Sequence, residues 1–183
     1  MWLTAREWWA VLHGMCLGAI FLLLFSGGLV MLWNLRSETL TAEGIKKSVR
    51  HLIIVLWTMA IVAWLTVIIG TYIVYPWYRA NPPAATSAQA QKTDLTNYPK
   101  AYLLANSKTA QWHLFGMEWK EHIGWLCPIL CTVAAFLVSC YREQLAYDKM
   151  LRWSLMTIFA LSFATAGVAG LFGAFITKAA PLH

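Results

Sequence analysis

The stretch HLIIVLWTMAIVAWLTVIIGTYIVY, residues 51–75, decides the fold, because it contains no Asp, Glu, Lys or Arg. A bilayer core about 30 Å thick is crossed by roughly 20 apolar residues in a helix. Three further stretches meet this requirement, at about residues 8–33, 119–140 and 153–177. We therefore predict an all-α integral membrane protein: a four-transmembrane-helix up-down bundle that forms a single membrane domain over residues 1–183.

The composition of the whole chain agrees with this fold class. Of its 183 residues, 60% are hydrophobic and 12% are charged, which is too apolar for an ordinary soluble domain. The formal net charge is +6, but the Lys and Arg residues stand beside the apolar stretches and form no separate basic domain. We therefore expect the lipid bilayer as a partner, and no nucleic acid.

The charges of the connecting segments predict the direction of the helices. The two short connections and their flanks carry seven Lys and Arg residues, whereas the long outer loop, residues 76–111, carries four. Short basic loops stay in the cytoplasm, so we expect a bacterial inner membrane protein with both termini on the periplasmic side. Within the outer loop, RANPPAATSAQAQKTDLT, residues 79–96, is predicted to be an extended surface segment because it has no apolar periodicity.

Two histidines in the predicted spans are candidate ligands of a cofactor metal. His13 lies roughly 5 residues inside the first span, about 7 to 8 Å at 1.5 Å per residue, and His122 lies at a comparable depth in the third. In an up-down bundle these two helices run in the same direction and stand diagonally across the core. Because neutral imidazole is a good ligand for haem iron, we predict that His13 and His122 bind one b-type haem.

Further residues around this pair fit a haem site. Gly14 and Gly18 would let a flat macrocycle approach the first helix. Glu118, one helical turn before His122, could hydrogen-bond the second ring nitrogen of that histidine, as carboxylates near metal ligands often do. Cationic partners for the propionates are available on the same side of the membrane, at Arg6, Arg79 and Lys120.

Other interpretations of the histidines stay open. His13 and His122 could instead hydrogen-bond within an interface rich in Trp. His113 precedes His122 by nine residues, which puts it on the opposite face of a continuous helix, so it would replace His122 only if the helix breaks near Gly116. His51 finds no histidine partner on the fourth helix, and we expect no second haem.

Two motifs carry a resemblance to known proteins. YPWYR, residues 75–79, closes the second span, and FGMEWKEH, residues 115–122, opens the third. The chain is similar to bacterial four-helix membrane proteins that share these motifs, and more broadly it resembles the small b-type cytochrome subunits that anchor respiratory enzymes. It departs from dihaem membrane cytochromes, since it lacks two histidine pairs. The resemblance singles out Tyr75, Pro76, Arg79, Lys120, Glu121 and His122.

These observations predict a function in electron transfer. We expect a membrane-anchored b-type haem subunit of a respiratory or photosynthetic redox complex, which is not itself catalytic. It would link a periplasmic partner, such as a periplasmic cytochrome, to quinone or to other membrane subunits of the complex.

The alternative is a haem-free accessory subunit of a multi-subunit membrane complex. The small residues of FATAGVAGLFGAF, residues 163–175, would then pack against another helix. A small transporter is less favoured, because no predicted span has a charged residue at its centre.

Overall fold

The computed structural model of the protein describes residues 3–83 and 94–180, and within these ranges it contains helices and no strand. Four of the helices are long and apolar enough to cross a membrane, which confirms this part of the predicted fold class. The helices, which we label in chain order, are α1 (Ala5–Asn34), α2 (Ala42–Arg79), α3 (Pro99–Leu104), α4 (Ser107–Tyr141), α5 (Gln144–Tyr147) and α6 (Lys149–Ala179).

The long helices extend beyond the apolar stretches seen in the sequence. Helix α2 begins nine residues before residue 51 and ends at Arg79, and α4 begins at Ser107 rather than near residue 119. The outer loop 76–111 is therefore partly helical, since it contains the end of α2, all of α3 and the start of α4. Most of the predicted extended segment, residues 84–93, lies outside the described residues.

Short polar side chains fix where three of the long helices begin. Thr4 accepts a hydrogen bond from the backbone N–H of Glu7, whose carboxylate in turn accepts from the backbone N–H of Thr4. Thr41 and Asp148 cap α2 and α6 in the same way through one side-chain acceptor each. Such caps satisfy amide groups that the helix itself leaves without a partner.

Neighbouring long helices run antiparallel in the order α1, α2, α4, α6, and α6 also packs against α1. Residues early in one helix contact residues late in the next, as expected when short connections join them. Helices α1 and α2 are joined by His13 with Thr66 and Gly28 with Leu56, and α2 and α4 by Trp57 with Ser139 and Trp64 with Thr132. Helices α4 and α6 are joined by Cys131 with Ser162 and Gly116 with Phe172, and α1 and α6 by Phe25 with Phe159 and Trp33 with Trp153.

Two apolar clusters hold the helices together. The larger one is centred on fully buried side chains of α2, α4 and α6, among them Leu56, Met59, Cys131 and Phe159. The smaller one lies near the start of α4 and joins Tyr78, Leu103, Met117, Ile176 and Ala180. We call the end of the bundle that holds the second cluster the histidine end, because His13, His113 and His122 lie towards it. The opposite end, with residues 35–50 and 141–152, is the basic end.

Most hydroxyl side chains of the long helices hydrogen-bond within the bundle. Seven Ser and Thr hydroxyls donate to the carbonyl four residues earlier in their own helix, at Ser26, Thr58, Thr66, Thr132, Ser139, Thr157 and Thr177. The indole N–H groups of Trp57 and Trp64 donate to Ser139 and Thr132 across the α2–α4 interface. Because hydrocarbon offers no water to replace such bonds, this pattern suits helices surrounded by lipid.

Gly28 is a position where α1 packs closely against α2 and α6. A Cβ atom placed there would lie 2.9 Å from the Cζ atom of Phe159 and 3.4 Å from a methyl of Leu56. Phe159 is fully buried and stacks on Phe25 with ring centroids 4.9 Å apart, so it has little room to move away. The neighbouring Gly27, by contrast, has nothing within 4 Å of the same point.

We expect Gly28→Leu to destabilise the protein, and Gly27→Leu to leave its stability almost unchanged. Overpacking a filled core costs about 1–3 kcal/mol, whereas the second substitution adds a side chain to open space. Thermal unfolding of both variants in the same detergent, followed by circular dichroism at the helix band, measures the difference. Equal melting temperatures for the two variants would contradict the packing described for α1.

Candidate functional site

Three of the four long helices contain a π-helical segment at the histidine end. The segments are Leu12–Cys16 in α1, Gly70–Val74 in α2 and Trp112–Met117 in α4. A π-helical segment inserts an extra residue into an α-helix, rotates the following residues about the axis and is frequent at functional sites. The sequence analysis missed all three, although a lone glycine inside the apolar run of α2 was a signal for a local irregularity at Gly70.

His13 lies in the first of these segments, and it contacts α2. Its Nδ1 atom is 2.8 Å from the carbonyl oxygen of Thr66. A Cβ atom at Gly70 would lie 2.6 Å from the Cε1 atom of His13, so this ring position requires a glycine. Since a ring nitrogen that faces a carbonyl oxygen must carry the proton, the other nitrogen, Nε2, keeps a free lone pair. The backbone of α2 therefore fixes the tautomer that suits a metal ligand.

The side chain of Lys120, a residue of α4, reaches α6. Its Nζ atom is 2.8 Å from the point where a Cβ of Gly173 would stand, so the glycine leaves room for the ammonium group against the backbone of α6. Within residues 3–83 and 94–180, no hydrogen bond or ion pair joins Lys120 to another residue. A cation in this position is available to an anionic group brought in from outside the chain.

Arg79, Tyr75 and Glu121 form a polar group between the end of α2 and α4. The guanidinium of Arg79 donates to the Tyr75 hydroxyl and lies 3.7 Å from the Oε2 atom of Glu121. The other carboxylate oxygen, Oε1, is buried and has no hydrogen-bond partner among the described residues. Because a buried carboxylate oxygen without a donor is costly, this atom is a second place where a polar ligand would find a partner.

His113 of α4 is buried and contacts Tyr78, a member of the second apolar cluster. Its Nδ1 atom lies 2.8 Å from the hydroxyl of Tyr78, and both side chains are less than a tenth exposed. Gly116 lies in the same π-helical segment and leaves room for the ring of Phe172. Helix α4 is π-helical at Gly116 but continues through it without a break, so His113 as a replacement for His122 stays a prediction.

His122 lies on the exposed side of α4. The exposed fraction of its side chain is 71%, and its Nδ1 atom is 2.9 Å from the backbone carbonyl of Glu118. The Glu118 carboxylate is farther from the ring, with its Oε2 atom at 3.8 Å. His13 contacts α2, and no described contact joins it to His122, so the pairing of these two histidines on one haem stays a prediction.

The other predicted site residues also lie at the histidine end. Arg6 donates to the backbone carbonyl of Asn97 and stands 6.0 Å from the ring centre of Trp77, so it connects α1 to the residues after α2. Gly14 and Gly18 have nothing within 4 Å of the positions where their Cβ atoms would be. Helix α1 is therefore open at these two glycines, and the approach of a macrocycle there stays a prediction.

No group of three or more His, Cys, Asp or Glu side chains that could hold a metal ion is found in the described parts of the chain. A haem held by two histidines needs no such group. The finding therefore concerns only metal ions that are bound by protein side chains alone. Comparison of the chain with protein-family models, with curated proteins and with solved structures finds no match.

We expect Tyr78→Phe to destabilise the protein, because it leaves the buried Nδ1 atom of His113 without a partner. Such an unsatisfied group costs about 1–3 kcal/mol. The control is Tyr72→Phe, which removes a hydroxyl from a side chain that is 71% exposed. Chemical or thermal unfolding in detergent compares the two variants, and equal stability of Tyr78→Phe and wild type would show that the hydrogen bond contributes nothing.

Proposed function

We propose that the protein is an integral membrane subunit that binds one b-type haem at the histidine end and transfers electrons within a larger redox complex. The observation that carries this proposal is His13, whose Nδ1 atom is tied to the Thr66 carbonyl while its Nε2 atom stays free. The nearby Lys120 ammonium has no acidic partner in the described ranges. A ligand nitrogen and an unpaired cation together suit a haem, which combines an iron with carboxylate side chains.

In this proposal, each residue of the site has a separate role in binding the haem. His13 would bind the iron through its Nε2 atom, and the Thr66 carbonyl would keep the proton of the neutral ring on Nδ1. Lys120 pairs with a propionate, and the open face at Gly14 and Gly18 admits the macrocycle. A bound haem supplies one-electron transfer, and its axial ligands, hydrogen bonds and burial set the potential.

His122 is the second histidine of this proposal. His122 also has its Nδ1 atom directed at a backbone carbonyl, which leaves its Nε2 atom free, but its side chain is exposed. We keep His122 as the second ligand of the proposal, with Glu118 as the residue that orients it. The buried His113 is the alternative on the same helix.

A haem-free accessory subunit is the second candidate, and two observations favour it. His122 lies outside the bundle core, and two of the small residues of α6 make no close contact with the other described residues. Gly167 and Gly170 have nothing within 4 Å of their Cβ positions, so this part of α6 is open to a helix of another subunit. Either way, we propose that the protein works beside other membrane subunits, with quinone or a periplasmic cytochrome as redox partners in the haem-binding case.

An optical spectrum separates the two candidates. We expect the protein purified from membranes to show a b-type α band in the reduced-minus-oxidised spectrum. His13→Ala and His122→Ala should each abolish bound haem, whereas His51→Ala, which changes an exposed histidine outside the site, should not.

The outcomes of this experiment are distinct. Absence of the band from the wild-type protein would refute haem binding and leave the accessory role. Full haem occupancy in both His13→Ala and His122→Ala would refute the ligand assignment. Melting temperatures of the three variants serve as the control for folding.

We also propose that the bundle crosses a bacterial inner membrane with both termini and the 76–111 segment on the periplasmic side. The basis is the excess of Lys and Arg at the basic end. Lys47 and Lys108 are exposed at opposite ends of the bundle and suit a labelling test.

In a background without the exposed Cys16 and Cys140, a membrane-impermeant thiol reagent added to intact cells should label Lys108→Cys and spare Lys47→Cys. After the membrane is opened, both positions should react. If the reagent labels only Lys47→Cys in intact cells, the proposed orientation is wrong and the basic end faces outward.

A further inference from the structure

The basic end contains a cavity between the end of α1 and the start of α6. Its volume is about 420 Å³, and its lining includes Arg36, Lys149 and Arg152 against the single carboxylate of Glu38. In the described parts of the chain, no ion pair joins any of these three cations to an acidic residue. The cavity therefore has an uncompensated positive charge.

Arg152 shows that this charge is built into the fold. Its side chain is 8% exposed, and its Nη1 atom donates to the backbone carbonyls of Leu145 and Ala146, at 2.8 and 3.4 Å. A buried guanidinium that is held only by carbonyl oxygens keeps its full charge and retains further donors. An anion in the cavity would lower the cost of burying this group.

The cavity continues into an apolar groove along the same two helices. A second space of about 340 Å³ is lined by Leu29, Val30, Trp33 and Met156, and it shares Trp33 and Met156 with the first. Its lining contains no charged side chain. A cationic cavity that opens into an apolar groove matches a ligand with an anionic head and a hydrocarbon tail.

Two tryptophans mark the level where the head and the tail would meet. Trp33 and Trp153 pack edge to face with ring centroids 5.7 Å apart, and the guanidinium of Arg36 lies 5.0 Å from the ring centre of Trp33. Tryptophan rings concentrate at the boundary between the headgroups and the hydrocarbon. Basic pockets between membrane helices bind the headgroups of anionic lipids.

We propose that the basic end binds one anionic phospholipid, with its phosphate in the cavity of Arg36, Lys149 and Arg152 and one acyl chain in the groove beside Trp33 and Met156. The site lies at the opposite end of the bundle from the proposed haem site. It rests on membrane insertion and is independent of whether haem is bound.

Native mass spectrometry of the full-length protein in detergent tests this site. The probes are phosphatidylglycerol, phosphatidylcholine with the same acyl chains, and inorganic phosphate. We expect one phosphatidylglycerol per chain, bound about tenfold more tightly than phosphatidylcholine and not displaced by millimolar inorganic phosphate. The double variant Arg36→Gln/Lys149→Gln should lose about tenfold in affinity for phosphatidylglycerol. Arg152 is left unchanged because its bonds support the fold.

The matched control is Lys46→Gln/Lys47→Gln, which removes the same charge from exposed positions of the basic end that do not line the cavity. It should bind phosphatidylglycerol within about twofold of wild type. Equal losses in both double variants would overturn the proposal, because they would show general attraction by surface charge. Equal affinity for the two lipids, displacement by phosphate alone, or a second copy of the chain in place of the lipid would also overturn it.

Discussion

A buried polar group in this bundle must find its partner inside the chain, and this constraint organises the structure. The backbone satisfies it by forming helices, and the hydroxyl side chains satisfy it by bonding to their own helix. The indole donors of Trp57 and Trp64 satisfy it across the α2–α4 interface. His13 follows the same rule through the carbonyl of Thr66. Among the described residues, two buried side-chain atoms do not comply, Glu121 Oε1 and the indole nitrogen of Trp119.

The bundle separates structural packing from polar chemistry along its length. The main apolar cluster fills the middle and the basic end with closely packed Leu, Phe and small residues. The histidine end instead contains the three π-helical segments and the polar side chains of α2 and α4. The Tyr78–His113 hydrogen bond contributes to both packing and polar chemistry. Tyr78 belongs to the second apolar cluster and directly precedes Arg79, which pairs with Glu121. The two proposed binding sites therefore lie at opposite ends of one helical bundle.

The four long helices could be predicted from the sequence, because the length of an apolar stretch is enough to identify such a helix. The 51–75 stretch has no alternative to a long apolar helix, and the structure extends that helix to Ala42 and Arg79. The helix ends were harder to predict, because capped polar turns such as the one at Thr41 continue a helix beyond its apolar part. The single-domain organisation and the haem remain predictions, since neither follows from helix length.

The sequence could not show which way the side chains of α4 face. The rotation of that helix is set by local contacts, such as Gly116 with Phe172 and Cys131 with Ser162. A π-helical segment further shifts the residues that follow it, so counting by 3.6 from His113 cannot locate His122. For this reason the exposure of the His122 side chain could not be predicted from its position in the sequence.

The extra residue in each π-helical segment has a consequence for how this chain can change in length. Removing one residue from Leu12–Cys16, Gly70–Val74 or Trp112–Met117 turns that segment into a regular α-helix. The apolar faces on either side then keep their contacts, after a local adjustment. The same deletion in the middle of a long helix would rotate half of it by about 100° and turn its apolar face away from the core. We therefore expect single-residue deletions to be tolerated in these three segments and not in the middle of a long helix.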